Sequence, residues 1–161
     1  MNITDKLNEA IKLCSIHRDR MEFAYGKIEG FFPLTVEKYN SLLPEQMSYM
    51  DQWIFRFSKL QDSMGSKLFP SILQILGEDV EGIPFIDKLN KLEKLNVLDY
   101  GKEWLLLREV RNVVIHEYPF LVEELINGLN LLYSKYKLIL KILDKIDEYL
   151  NMRFGDTVKD V

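Results

Sequence analysis

The chain is poor in the side chains from which most metal and redox sites are built: one cysteine, Cys14, and two histidines, His17 and His116, among 161 residues. A lone thiol excludes an internal disulfide framework, and there is no paired-cysteine zinc pattern or two-histidine metal helix. Glycine is scarce too, with eight residues and no glycine-rich phosphate loop, and no serine sits in a nucleophile elbow. Apolar runs are interrupted by charge before they reach the roughly 18 positions of a membrane-spanning helix, and no stretch reads as a cleaved leader. These absences predict a chain of the reducing cytoplasm that uses no metal or other cofactor.

Positive charge is also in deficit. Lys and Arg total 21 against 25 Asp and Glu, giving a net charge of −4 and a pI near 5.3. Bulk electrostatics therefore exclude a protein that coats nucleic acid, and any contact with RNA must come from a local cluster. An acidic chain equally suits a protein partner. The carboxylates fall in no spacing that singles out a general acid and base pair, so they read as solvated faces.

What the chain does have is apolar material, 47% hydrophobic with 12% aromatic residues, enough for one cored domain over residues 1–150. Apolar residues recur at three and four residue steps almost throughout, and strand-like alternation is absent, so the class is all-α. Thr4 is placed to cap a first helix running to about Phe31, with Ile3, Leu7, Ile11, Cys14, Met21, Tyr25 and Ile28 as its stripe. A second helical region starts near Val36 or at Pro44, and Pro70 predicts a kink or restart within it. Gly77 to Pro84 reads as a loop.

Pro84 opens a helix from Phe85 to about Leu98, with Ile86, Leu89, Leu92 and Leu95 on one side. After the break at Asp99-Tyr100-Gly101, a helix from about Lys102 carries Trp104, Leu107, Val110 and Val114, and Pro119 ends it. Trp53 and Trp104 read as core anchors. From Leu125 to Leu150 an unbroken seam of Leu, Ile and Tyr136 packs either within the chain or across a dimer, the former being usual in helical bundles. A polar, frayed tail over residues 151–161 closes the chain.

One stretch carries chemistry: Arg111-Asn112-Val113-Val114-Ile115-His116-Glu117-Tyr118. Arginine offers a permanent cation with a fork of donors that suits phosphate, and histidine exchanges protons near neutral pH. Five residues of helix turn through about 500°, leaving positions 111 and 116 roughly 140° apart and about 7.5 Å along the axis. Either the helix deforms before Pro119 or a second copy of the chain completes the site. Tyr118, seven residues from Arg111, would align with it to within about 20° if the turn stayed helical. The plain structural alternative is a surface arginine and a helix-end histidine favoured by the helix dipole. Arg108, one turn before Arg111, either widens the positive field or pairs with an acidic neighbour. His17-Arg18-Asp19-Arg20 reads as a solvated mixed-charge face, or as a flank for RNA.

The spacing Arg111, four residues beginning with Asn112, then His116 and Tyr118 resembles the Arg-x4-His-x-Tyr motif of HEPN-domain proteins, in particular the HepT-like toxins. The helical context, the position of the motif late in the chain and the long closing helix are similar as well. The segment Phe55 to Asp62 also resembles an early-helix stretch of that family. The resemblance implies an antiparallel up-down bundle of about four to five helices that pairs as a two-fold homodimer. It further implies a metal-independent endoribonuclease toxin in which His116 exchanges protons, Arg111 binds the scissile phosphate and Asn112 orients or polarises in the same pocket, with RNA rather than DNA as substrate. The implied partner is a minimal nucleotidyltransferase antitoxin that AMPylates Tyr118. A non-catalytic HEPN-like module that docks a nucleotidyltransferase is the alternative.

Overall fold

The computed structural model of the chain describes residues 1–116 and 122–155, with the His116 side chain left outside that description. Among the described residues every regular element is helical and no strand occurs, as the apolar periodicity predicts. Helix α1 spans Ile3–Ile28 and runs on through a 3₁₀ turn at Glu29–Phe31. Its cap is Asn2, not Thr4: the Asn2 side chain accepts from the Asp5 N–H at 2.8 Å, while Thr4 lies inside the first turn. Asparagine is at least as good a cap as threonine, and here it holds the extended backbone that a cap requires.

Both candidate starts of the second region are used. Thr35 caps the short helix α2, Val36–Asn40, and Pro44 opens α3, Pro44–Ser63. Helix α3 continues through a π turn, Met64–Leu68, into α4, Phe69–Ile75. Pro70 stands in the first turn of α4, where the helix restarts after this wider turn, in which the Phe69 N–H donates to the Met64 carbonyl. Proline lacks an N–H and crowds the carbonyl four residues back, and a widened turn before it relieves both problems.

Helix α5, Phe85–Lys94, ends short of the expected Leu98. Asn96 adopts a positive φ of 61°, and the Val97 and Leu98 N–H groups both return to the Leu92 carbonyl, a left-handed helix stop. Helix α6 spans Gly101–His116 and α7 Val122–Phe154. Helix α7 thus continues past Leu150, which moves the start of the polar tail; Arg153 sits in its last turn, where a cation suits the helix dipole. Residues 156–161 lie outside the described residues, as do Tyr118 and Pro119.

Leu129, Leu132, Tyr136, Ile139, Leu143, Ile146 and Leu150 are each no more than 1% exposed within the single chain. The α7 seam is therefore closed by the chain itself. Tyr25 of α1 stacks on Tyr136 with ring centroids 4.3 Å apart, Phe32 stacks on Tyr133 at the same distance, and Trp53 of α3 meets Tyr136 edge-on. These contacts join α1, α3 and α7 in one core. Two expected core positions face outward: Ile3 and Ile86 are exposed. Gly128 allows α7 to approach α6 closely, since a Cβ there would lie 3.2 Å from Val113 and 3.3 Å from Val114. Among the described residues no helix is long and apolar enough to cross a membrane.

Leu143 is fully buried and Leu131, on the same helix, is 45% exposed. Leu143→Ala is expected to cost about 2–5 kcal/mol in denaturant unfolding, from lost burial plus the cavity left behind. Leu131→Ala should cost less than about 1 kcal/mol, as a surface change does. Equal losses would contradict a seam closed within one chain.

Candidate functional site

Helix α6 presents two different faces. Trp104, Leu107, Val110 and Val114 are buried, whereas Leu106, Glu109, Asn112 and Val113 are exposed. Arg111 lies on the inner side, and its side chain is only 13% exposed. Its Nη1 donates to the Ser58 hydroxyl at 3.1 Å and to the Asp62 carboxylate at 2.9 Å, both on α3. Its Nε is buried and has no acceptor among the described residues. The arginine is thus held in place by α3 and partly neutralised, rather than free on the surface.

The same joint contains a buried amide. Gln61 is 1% exposed; oriented to suit its neighbours, it donates to the Leu107 carbonyl at 3.3 Å and accepts from the Arg108 N–H at 3.0 Å. One turn further on, Gly65 lies against Trp104, whose ring would be 3.0 Å from any Cβ at that position. Ser58, Gln61 and Asp62 of α3 and Gly65 of the π turn fall at three and four residue steps, so this continuous stretch turns one narrow stripe of small and polar residues to α6, and the two run in opposite senses. This stripe was not read from the sequence as a group. Its signal is four small or polar residues at helical spacing beside an apolar stripe.

Two recesses open on either side of the Arg111–Asp62 pair. The first, about 390 Å³, is lined by Arg108 and Arg111 together with Gln61, Asp62, Phe85 and Trp104. The second, about 440 Å³, is largely apolar, with Val114, Ile115, Leu125 and Phe55 beside Ser58 and Lys59. Arg108 is exposed and lies over the Phe85 ring, 5.8 Å from its centroid, and it lines the first recess together with Arg111. Phe55 is half exposed, with the Arg56 guanidinium 5.2 Å and the Lys59 ammonium 5.6 Å from its ring centre. Asn112 is exposed and lines neither recess.

Helix α6 stays regular to His116, so position 116 remains about 140° around the axis from Arg111. The helix does not deform to bring them together. Tyr118, which would have aligned with Arg111, lies outside the described residues.

The patch around His17 is not the solvated face its charges suggest. His17 is 8% exposed and packed against α3, where the Arg56 Nη1 donates to its Nδ1 at 3.1 Å. Because arginine cannot accept, Nδ1 must be the acceptor and the ring neutral. Burial, and then the nearby Arg56, Lys59 and Arg20, push its pKa down from 6.5. Arg18 instead reaches across to α7, where it pairs with Asp144 at 2.8 Å. Cys14 is buried, and burial pushes its thiol up to about 12, which leaves it protonated and unreactive at neutral pH. Among the described residues no three His, Cys, Asp or Glu side chains come together as a metal would require.

No family model matches the chain, and comparison with curated proteins and with solved structures gives no match.

His17 provides a pH test of the α1–α3 contact. Its folded pKa is depressed, so the unfolded chain binds the extra proton first as pH falls, and stability present above pH 6.5 is lost below it. His17→Gln keeps an acceptor for Arg56 but does not titrate. The wild type should lose stability relative to this variant as unfolding is followed from pH 7.5 down to about 5. Parallel pH profiles would show that His17 is not held neutral.

Proposed function

We propose that this chain is a metal-independent endoribonuclease of the HEPN type, acting as the toxin of a pair whose antitoxin is a nucleotidyltransferase. The observation that carries the reading is the placement of Arg111: a motif arginine held rigidly by Ser58 and Asp62 at the edge of a recess that also holds Arg108. A phosphate there would meet two guanidiniums. Among the described residues the Arg111 Nη2 makes no hydrogen bond, which leaves a donor for a phosphate oxygen.

In this reading His116 takes the proton of the ribose 2′-hydroxyl as the 2′-oxygen attacks phosphorus, and the same imidazole, now protonated, returns a proton to the departing 5′-oxygen. The new bond is P–O2′ and the broken bond P–O5′, giving a 2′,3′-cyclic phosphate and a 5′-hydroxyl. Arg111 balances the charge that builds on the phosphoryl oxygens. DNA has no 2′-hydroxyl and is not a substrate. Since positions 111 and 116 point about 140° apart on a straight helix, each reaction site pairs Arg111 of one copy with His116 of another, within a two-fold homodimer of helical bundles. Asn112, on the exposed face of α6, then reaches the site from the same side as the second copy.

Tyr118 is the proposed AMPylation site. The added phosphate would seek the Arg111 cation and exclude RNA from it.

A non-catalytic docking module is the second reading. The Arg111–Asp62 ion pair favours it, because that pair also gives the arginine a purely structural use in joining α6 to α3.

Wild type, His116→Ala and Arg111→Lys are to be incubated with bulk tRNA and mRNA in chelator. Arg111→Lys keeps a cation beside Asp62 but loses the planar fork. The wild type should cleave and leave cyclic phosphate ends, and each variant should lose about 10²-fold or more while melting as a folded protein. Cleavage by either variant at the wild-type rate contradicts the catalytic assignment. No cleavage by folded wild type leaves the docking module.

Tyr118→Phe should still cleave RNA but no longer accept AMP from the partner enzyme, as read by intact mass. AMP found on the same peptide of the variant would remove Tyr118 from that role.

A further inference from the structure

We infer that the recess between the π turn after α3, the start of α5 and the middle of α6 is a binding pocket for a single RNA nucleotide lying next to the scissile phosphate. This rests on the ribonuclease reading for the identity of the ligand, but not for the chemistry of the pocket. Its walls combine two features that a nucleotide needs together. One is positive charge: Arg108 and Arg111 face a single carboxylate, Asp62, which Arg111 already engages. Arg108 makes no ion pair among the described residues, so its charge is available. The other is aromatic surface: Phe85 and Trp104 lie with ring centroids 5.1 Å apart and tilted by 46°, and Phe85 remains partly exposed.

Donors outnumber acceptors in the lining. The remaining donors are those of Arg108 and Arg111, since the Trp104 Nε1 is buried and the Ser66 hydroxyl is spent on the Asp62 carbonyl; the Gln61 amide is spent on the α6 backbone and one Asp62 carboxylate oxygen on Arg111. A neutral apolar ligand would leave the Arg108 cation unanswered, and a bare anion would leave the aromatic wall unused. A base with its attached phosphate answers both. The volume of about 390 Å³ lies within the range of small-molecule sites.

The shape of the pocket depends on two local features. Gly65 lets the Trp104 ring lie against the helix where any side chain would displace it. The π turn widens the helix at this point, and the Ser66 hydroxyl donates to the Asp62 carbonyl at 2.7 Å, which satisfies a backbone acceptor as the regular ladder changes. Arg111 belongs both to this pocket and to the proposed scissile-phosphate site. A nucleotide seated against Phe85 is therefore one residue of RNA away from the reacting bond.

The two tryptophans make the test direct, because Trp104 lines the pocket and Trp53 is buried in the core. The four nucleoside 3′-monophosphates, inorganic phosphate and the free nucleosides are titrated in turn into the full chain, and the two indole N–H signals are followed by NMR. At least one mononucleotide should shift the Trp104 signal, leave Trp53 unmoved and bind about tenfold or more tightly than phosphate or its nucleoside. Phe85→Ala and Arg108→Glu should each weaken that binding about tenfold or more, with the Trp53 signal unchanged as a check on the fold. Mononucleotides that leave Trp104 unmoved, or that bind no better than phosphate, overturn the pocket, as does wild-type affinity in the two folded variants. Mononucleotide binding as expected in a chain that cleaves no RNA leaves the pocket standing and removes only the ribonuclease reading.

Discussion

A straight α-helix turns by about 100° per residue, and that constraint governs what this chain can do with its motif. Helix α6 is regular from Gly101 to His116 and is pressed on by α3 from one side and α7 from the other. Its inner face holds Arg111 and its outer face Asn112. A single copy therefore cannot direct positions 111 and 116 to one phosphate without unwinding a helix that the rest of the fold supports. For the proposed ribonuclease a composite site is the economical solution, because a two-fold axis would turn the opposed faces of two copies toward a shared cleft.

Arg111 is held at a definite cost. Its Nη1 is committed to Ser58 and Asp62, and its Nε is buried with no acceptor among the described residues. The pair is open to water on the Asp62 side, whose side chain is 56% exposed, so it stabilises little by itself. In the proposed ribonuclease the benefit is preorganisation, because a guanidinium already tied to Ser58 and Asp62 would need little reordering to meet a phosphate. Asp62 also lowers the net charge of the site, and Arg108 compensates from one turn away. Arg108 and Arg111 thus place two guanidiniums beside one carboxylate at the α3–α6 joint of an otherwise acidic chain.

Much of the fold was legible because burial follows helical period. The seam from Leu129 to Leu150 is closed as its steps of three and four predict, and both tryptophans lie in the core. Boundaries were less legible where neighbouring residues compete for one role. Asn2 and Thr4 are both good caps two residues apart, and only backbone geometry selects Asn2. Leu95 and Leu98 continue the apolar pattern of α5, yet the chain buries Leu98 from a turn rather than from a helix, and periodicity alone does not tell the two apart. His17 stands among charged residues and reads as solvated; its burial comes from Arg56, 39 residues later. The arginine of the motif was visible in the sequence. Its anchors were not, because Ser58 and Asp62 lie 53 and 49 residues earlier and reach it only through tertiary packing.

The central claim is that the reaction site is shared between two copies, and subunit complementation tests it most directly. The Arg111→Lys and His116→Ala proteins, each expected to be inactive by itself, are mixed, allowed to exchange subunits, and assayed for RNA cleavage, with exchange verified by native mass spectrometry. A mixed dimer regenerates one site with an intact Arg111 from one chain and an intact His116 from the other. Random exchange should then restore about a quarter of wild-type activity, since half the dimers are mixed and half their sites are intact. No recovery from a fully exchanged mixture, with the wild type active alongside it, would contradict the shared site.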